Sequence, residues 1–188
     1  ERSLKWRQKY LLNPEYVFPS ILVIPGVNVD YSGVVVTTGI NAGKKDDLTI
    51  AFSKGAGGAV DGQIAETRNV TKGNDQLLSP SREPSYVSLP QSGGVEKKYT
   101  TFEKPILSSK NIQTIRDMVK QVRKKMPEQT GSDYRGPYDM EMGFKDNKLW
   151  LFQIRPFVEN KKAKSSEYLN AITPKTNTNQ KINLNLKL

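Results

Sequence analysis

Tyr138-Asp139-Met140-Glu141-Met142-Gly143-Phe144-Lys145-Asp146-Asn147-Lys148-Leu149-Trp150-Leu151-Phe152-Gln153-Ile154-Arg155-Pro156 reads as a β-hairpin with a polar turn at its middle. Side chains alternate across a strand. Tyr138, Met140, Met142 and Phe144 therefore share one face, and Asp139 and Glu141 share the other. On the second strand the same rule groups Trp150, Phe152 and Ile154, and sets Gln153 and Arg155 opposite them. Asp146-Asn147, flanked by lysines, has turn chemistry. A loop of three or five residues puts both apolar faces on one side, and the five-residue loop sets Glu141 across from Gln153 and Asp139 across from Arg155. Two carboxylates, an amide and a guanidinium then converge on one surface, a donor set suited to a divalent metal beside an arginine fork for phosphate. The same residues also fit an amphipathic hairpin carrying an ordinary cross-strand ion pair.

Upstream of the hairpin, Ile112, Ile115, Met118, Val119, Val122 and Met126 repeat at helical spacing. They predict a helix over 109–126, capped by Ser108 or Ser109, with lysine and arginine in its last turn and Pro127 as its end. Gly33-Val34-Val35-Val36-Thr37-Thr38 and Leu48-Thr49-Ile50-Ala51-Phe52 read as strands, and Ile21-Leu22-Val23-Ile24, between Pro19 and Pro25, as a further buried one. Residues 54–62 form a glycine cluster that permits close backbone approach to a phosphate but lacks the Gly-Lys-Ser/Thr of a Walker motif. Residues 63–107 are rich in Ser, Pro, Gly and Asn and predict loops and short edge strands, with no evident chemistry. The expected fold class is α+β, with a mostly antiparallel sheet containing 33–38, 48–52, 138–144 and 149–154 and the long helix packed on one face. Residues 1–16 are expected to form a helical segment that ends before Pro14 and packs on the core. Residues 161–188 read as a polar tail, with a short helix near Ser165 to Ala171 and an alternating end at Ile182, Leu184, Leu186 and Leu188.

Composition narrows the function classes. At 188 residues the chain suits one domain with a tail, and 36% hydrophobic content makes a modest core. Its longest apolar run, Val17 to Val29, is interrupted by Pro19, Ser20, Pro25 and Asn28, well short of the roughly 18 residues of a membrane span. The absence of cysteine excludes disulfides and thiolate chemistry within these residues and fits a cytoplasmic setting. The absence of histidine excludes an imidazole base, a zinc–histidine site and a phosphohistidine here. The net charge of +10 raises nucleic acid as a partner. The lysines are scattered, however, at Lys44-Lys45, Lys97-Lys98, Arg123-Lys124-Lys125 and Lys161-Lys162, and read as solvated surface.

Asp-x-Glu, a hairpin and Gln-x-Arg-Pro together resemble the end of the ATP-binding domain in the phosphoenolpyruvate synthase and pyruvate phosphate dikinase family, which is ATP-grasp-like. The stretch VIPGVNVDYSGVVVTTG resembles a segment that leads toward the nucleotide phosphates in that family, making Thr37 and Thr38 neighbours of the site. Residues 55–62 resemble the family's Gly-Leu-Gly-Glu-x-Val-Val-x-Gly, with Gly55, Gly57, Val60 and Gly62 in register and Gly58 standing where the family has an acid. The order of helix, Gly-x-Pro turn and Asp-x-Glu strand is similar too. The resemblance implies ATP and Mg²⁺ as cofactors, with Asp139 and Glu141 as metal ligands, Gln153, Arg155, Gly55, Gly57 and Gly62 as nucleotide-binding residues, and Arg155 in the catalytic role. It also implies a phosphotransferase whose phosphate passes to a histidine on a separate, swivelling domain. Lacking histidine, residues 17–160 would be the C-terminal half only of the ATP-grasp-like lobe, with the N-terminal lobe and the histidine-bearing domain as partners. Two other readings stay open: a non-catalytic binding module of the same ancestry, and a basic nucleic-acid-binding domain.

Overall fold

The computed structural model of the protein describes residues 2–10, 16, 18, 21–39, 46–131 and 133–158. Helix α1 spans Arg2–Tyr10. Strands β1 (Tyr31–Val36), β2 (Leu48–Lys54), β3 (Glu66–Val70), β4 (Asp75–Ser79), β5 (Ser85–Ser88) and β6 (Glu96–Tyr99) precede helix α2 (Ser109–Thr130), and strands β7 (Tyr138–Lys145) and β8 (Lys148–Pro156) follow it. Six strands form one sheet in the order β4-β3-β2-β1-β7-β8, and β5 pairs with β6 in a separate ribbon. Every pairing is antiparallel. The α+β class and the sheet expected from the sequence are therefore present.

Alternation divides the sheet into two unlike faces. Val35, Leu48, Ile50, Phe52, Val70, Met140, Met142 and Phe144 point to one side and form a single core with Ile112, Ile115, Val119 and Val122 of α2. Tyr31, Phe52 and Phe144 meet there ring to ring, with centroids 5.1–6.5 Å apart. The intervening residues Ser32, Val34, Val36, Thr49, Ala51, Ser53, Asp139 and Glu141 occupy the helix-free face.

Helix α2 begins with a reciprocal cap. The Asn111 backbone N–H donates to Ser108 Oγ at 3.2 Å, and the Ser108 N–H donates to Asn111 Oδ1 at 2.9 Å. Its end differs from the sequence expectation. The helix runs through Pro127, which is buried, and stops at Gly131 in the left-handed conformation, φ 61°. A proline near a helix end removes one backbone bond, and the packing of its ring against the core offsets that loss. The Arg123–Lys125 run consequently lies inside the helix instead of in its last turn.

A buried ion network ties the sheet to the entry of α2. Glu66, 1% exposed, and Arg68, 7% exposed, point toward the helix side of β3. Arg68 Nε donates to Glu66 at 2.7 Å and its Nη1 to Asp75 at 2.9 Å. Burial opposes the Arg68 charge, but the hydrogen bonds to Glu66 and Asp75 outweigh it and hold the guanidinium above its ordinary range. Glu66 also accepts from the backbone N–H groups of Ile106 and Leu107, just ahead of the Ser108 cap. The sequence reading assigned nothing to this strand, although Glu66, Arg68 and Val70 at alternate positions place two opposite charges beside a core valine.

Three expectations are corrected. Ile21–Ile24 form no strand and are 60–87% exposed; no sheet edge pairs with them, so β-branched composition alone does not bury them. Helix α1 does not pack on the core: Leu4, Trp6 and Tyr10 are 57–60% exposed, and Trp6 stacks on Tyr10 of its own helix. On β8, Trp150, Phe152 and Ile154 do not share a face; Leu149, Leu151 and Ile154 pack on the core. The expected helix near Ser165 to Ala171 and the alternating C-terminal end lie outside the described residues.

The Glu66 network yields a stability prediction. Glu66→Ala leaves Arg68 with Asp75 as its one carboxylate and strands the Ile106 and Leu107 backbone donors, and should lower unfolding free energy by about 3 kcal/mol. Urea denaturation monitored by tryptophan fluorescence measures it; a loss under about 1 kcal/mol, the size of an exposed pair, would contradict this account.

Candidate functional site

The hairpin of β7 and β8 turns on two residues, not three or five. Asp146 and Asn147 have φ of 52° and 61°, the double left-handed conformation of a tight hairpin turn, which Asp and Asn tolerate better than most residues. Near the turn, Lys145 pairs with Lys148, Phe144 with Leu149 and Met142 with Leu151. Farther out, Glu141 pairs with Gln153 and Asp139 with Arg155. The two registers differ by one residue, and a β-bulge at Phe152 absorbs the difference. The bulge restores the opposition expected from a five-residue loop by another route. It also turns the Phe152 ring onto the helix-free face, where it covers Gly143; a Cβ there would lie 3.1 Å from the ring and 2.8 Å from Val29.

Asp139 and Arg155 meet directly. Arg155 Nε and Nη2 both approach Asp139 Oδ2 at 2.7 Å. The Asp139 side chain is 14% exposed and that of Arg155 56%. Its hydrogen bond to Asp139, and then the charges of Asp139 and Glu141, hold the Arg155 guanidinium above its ordinary range. A guanidinium carries five N–H donors, and Asp139 takes two of them, leaving three on a side chain that is more than half exposed. Asp139 Oδ1 is buried and has no hydrogen-bond partner. Glu141 is two residues along the same face, roughly 7 Å away in strand rise, and Gln153 is exposed opposite it.

The glycine cluster folds over the same face on the β1–β2 side. Ser32 Oγ accepts from the Gly57 N–H at 3.1 Å and donates to the Gly55 carbonyl at 2.7 Å. The Gly55 N–H donates to the Asp30 carbonyl at 2.9 Å. Gly55 and Gly57 thus spend their backbone donors on fixing the loop, with positive φ of 74° and 77°. Gly62, φ 86°, stands in open space. The loop lies at the level of Ser32 and Ser53, one pleat from Glu141, so the glycines and hairpin carboxylates share a face without direct contact. Thr37 is taken up structurally: its buried hydroxyl accepts from the Tyr138 N–H at 2.8 Å, closing the β1–β7 end. The Thr38 carbonyl accepts from Thr49 Oγ1 at 2.9 Å.

The sequence reading missed three groups. Ser53 Oγ, Gln63 Oε1 and Asn69 Oδ1 are buried without a partner, as is Asp139 Oδ1. Ser53, Asn69 and Asp139 sit at helix-free positions of β2, β3 and β7, and Gln63 reaches Ser53 beside Gly58. Buried polar atoms ordinarily find partners. Among the described residues, three of these four atoms sit on helix-free strand positions, which makes that face the candidate site. Writing Leu48–Ser53 and Glu66–Val70 as alternating strands would have exposed this polar row.

Residues 1–175 match the family described as Pyruvate phosphate dikinase, AMP/ATP-binding domain. The chain belongs to this family. No curated protein matches it. As a dikinase AMP/ATP-binding domain, it is an ATP-binding part of a dikinase-like enzyme, with ATP as its ligand. Among the described residues no three metal-ligating side chains converge. Magnesium commonly takes one or two protein carboxylates and completes its octahedron with phosphate oxygens and water. The free Oδ1 of Asp139 and the nearby Glu141 fit that smaller requirement.

At Gly58, where the resembled family carries an acid, a Cβ would lie 2.1 Å from Gln63 Oε1 and 2.4 Å from Ser53 Oγ. The space for a side chain is therefore filled by its neighbours. Gly58→Ala should cost about 1–3 kcal/mol by overpacking, and Gln63→Ala in the same chain should recover much of it. Thermal unfolding of the two single variants and the double variant tests the coupling; strictly additive effects would show that Gln63 does not fill this space.

Proposed function

We propose that this chain is the Mg²⁺–ATP-binding, C-terminal half of the dikinase nucleotide domain, and that the phosphate of ATP passes to a histidine on a separate domain. The observation that carries this reading is the Asp139–Arg155 pair with a buried, unpartnered carboxylate oxygen beside Glu141. Arg155 would hold phosphate oxygens through its remaining N–H donors while Asp139 fixes its orientation. Gln153 would donate its amide to a phosphate oxygen or to the nucleotide. Asp139 and Glu141 would hold magnesium, which bridges phosphates and offsets their charge during transfer. Gly55, Gly57 and Gly62 would shape the loop that closes over the phosphates, with Gly62 the least committed to the fold. The absence of histidine from the sequence fits an acceptor elsewhere in the protein, in a cytoplasmic enzyme whose N-terminal lobe completes the nucleotide cleft. Among the described residues no helix is long and apolar enough to cross a membrane.

One observation favours a second reading, a nucleotide-binding module that does not transfer phosphate. Gln63 and Ser53 occupy the space beside Gly58, so the acid of the resembled family has no counterpart there.

The two readings separate in the intact protein. Arg155→Ala should lower ATP-dependent turnover about tenfold to hundredfold, because a charge-assisted bond contributes on the order of 1.5–3 kcal/mol. Glu141→Ala should weaken the response to magnesium. Lys120→Ala, at an exposed position of α2, is the control and should change little. Normal turnover in both site variants would make the hairpin purely structural; ATP binding without turnover in the unaltered protein would establish the second reading.

A further inference from the structure

The end of the sheet opposite Asp139 carries a cleft of about 660 Å³ between the β1–β2 end and the segment 86–106. Its volume lies within the range of small-molecule sites. Four lysines line it, Lys54, Lys98, Lys104 and Lys145, against two acids, Asp30 and Glu103. Lys145 is neutralised by Asp30 at 3.1 Å, which holds its ammonium above the ordinary lysine range. Asp30 Oδ2 is further occupied by the Asp146 N–H at 2.8 Å. Lys98 pairs with Glu96 at 3.4 Å.

Lys54 and Lys104 are different. Lys54 is half-buried, and among the described residues its ammonium makes one hydrogen bond, to the Thr100 hydroxyl at 2.6 Å, out of the three it can donate. Neither Lys54 nor Lys104 makes an ion pair among the described residues. For half-buried Lys54, a partly desolvated ammonium without a carboxylate is unfavourable unless an anion completes it, and exposed Lys104 adds a second positive charge beside it. Tyr86 and Thr101 line the same cleft and carry hydroxyls that can donate, whereas the Ser88 hydroxyl is taken by Asn28 Oδ1 at 3.3 Å. Lysine acts as a point charge toward phosphate and does not impose the planar geometry of arginine.

We infer that this cleft is a second anion site, taking a small phosphate-bearing molecule on Lys54 and Lys104, separate from the nucleotide hairpin. Asp139 and Lys145 lie at opposite ends of β7, about 20 Å apart in strand rise, so one phosphate group cannot serve both. The site goes beyond the nucleotide reading and does not depend on it.

Titration of the full chain carrying Arg155→Ala, with inorganic pyrophosphate or glycerol 3-phosphate and no magnesium, isolates the cleft from the hairpin. Amide NMR shifts should cluster at Lys54, Tyr86–Ser88 and Lys104–Ile106. Lys104→Gln, at an exposed loop position outside the core, should weaken binding about fivefold, while Lys120→Gln should leave it unchanged. Preference between the two probes reports whether the site takes an inorganic phosphate or a phosphate ester. Absence of binding at millimolar probe, shifts confined to the hairpin, or equal losses for Lys104→Gln and Lys120→Gln would each overturn the proposal. So would tighter binding of a single-stranded oligonucleotide, spread over surface lysines outside the cleft.

Discussion

Helix α2 covers only one face of a six-stranded sheet, and it can do so because Ile112, Ile115, Val119 and Val122 meet an unbroken apolar row from β2, β1 and β7. Alternation then leaves the other face to residues that need not be apolar. Ser32, Thr49, Ser53, Asn69, Asp139 and Glu141 all occupy it as a result of that single packing decision. The helix is held at its entry by a carboxylate from the sheet. Glu66 reaches across to Ile106 and Leu107, so the entry of α2 and strand β3 are fixed by the same side chain. The candidate site therefore rests on a scaffold that is anchored from behind.

Much of this arrangement was legible in the sequence. The α2 stripe, the valine-rich β1 and the alternation of β2 and β7 are strong periodic signals, and each element stands where its pattern placed it. The four hairpin residues were also legible, because their types and spacing carry the resemblance to the dikinase family. What failed was local. Pro127 did not end its helix, because core packing compensated one missing backbone bond. Ile21–Ile24 resembled a strand in composition but had no edge to join. The Phe152 bulge has no sequence signature that a count of alternating residues could reveal.

The glycine cluster shows how a fold can employ a motif's residues in ways a linear pattern does not contain. It folds over the helix-free face, on the β1–β2 side. Ser32 and Asp30 consume the backbone groups of Gly55 and Gly57, and Gln63 fills the space beside Gly58. Hydrogen bonds beyond a motif's own residues decide which of its donors remain for a ligand, and a linear pattern does not contain them.

The bulge at Phe152 has a consequence for how this hairpin can diverge. The strand segment before it and the segment after it are counted in different phases, so lengthening the turn by two residues preserves both, whereas adding or losing one residue on β8 inverts everything beyond the change. Arg155 would then point into the apolar core and Ile154 onto the helix-free face. Residue spacing measured back from Pro156 is thus a sounder guide to equivalence between related chains than spacing measured outward from the turn.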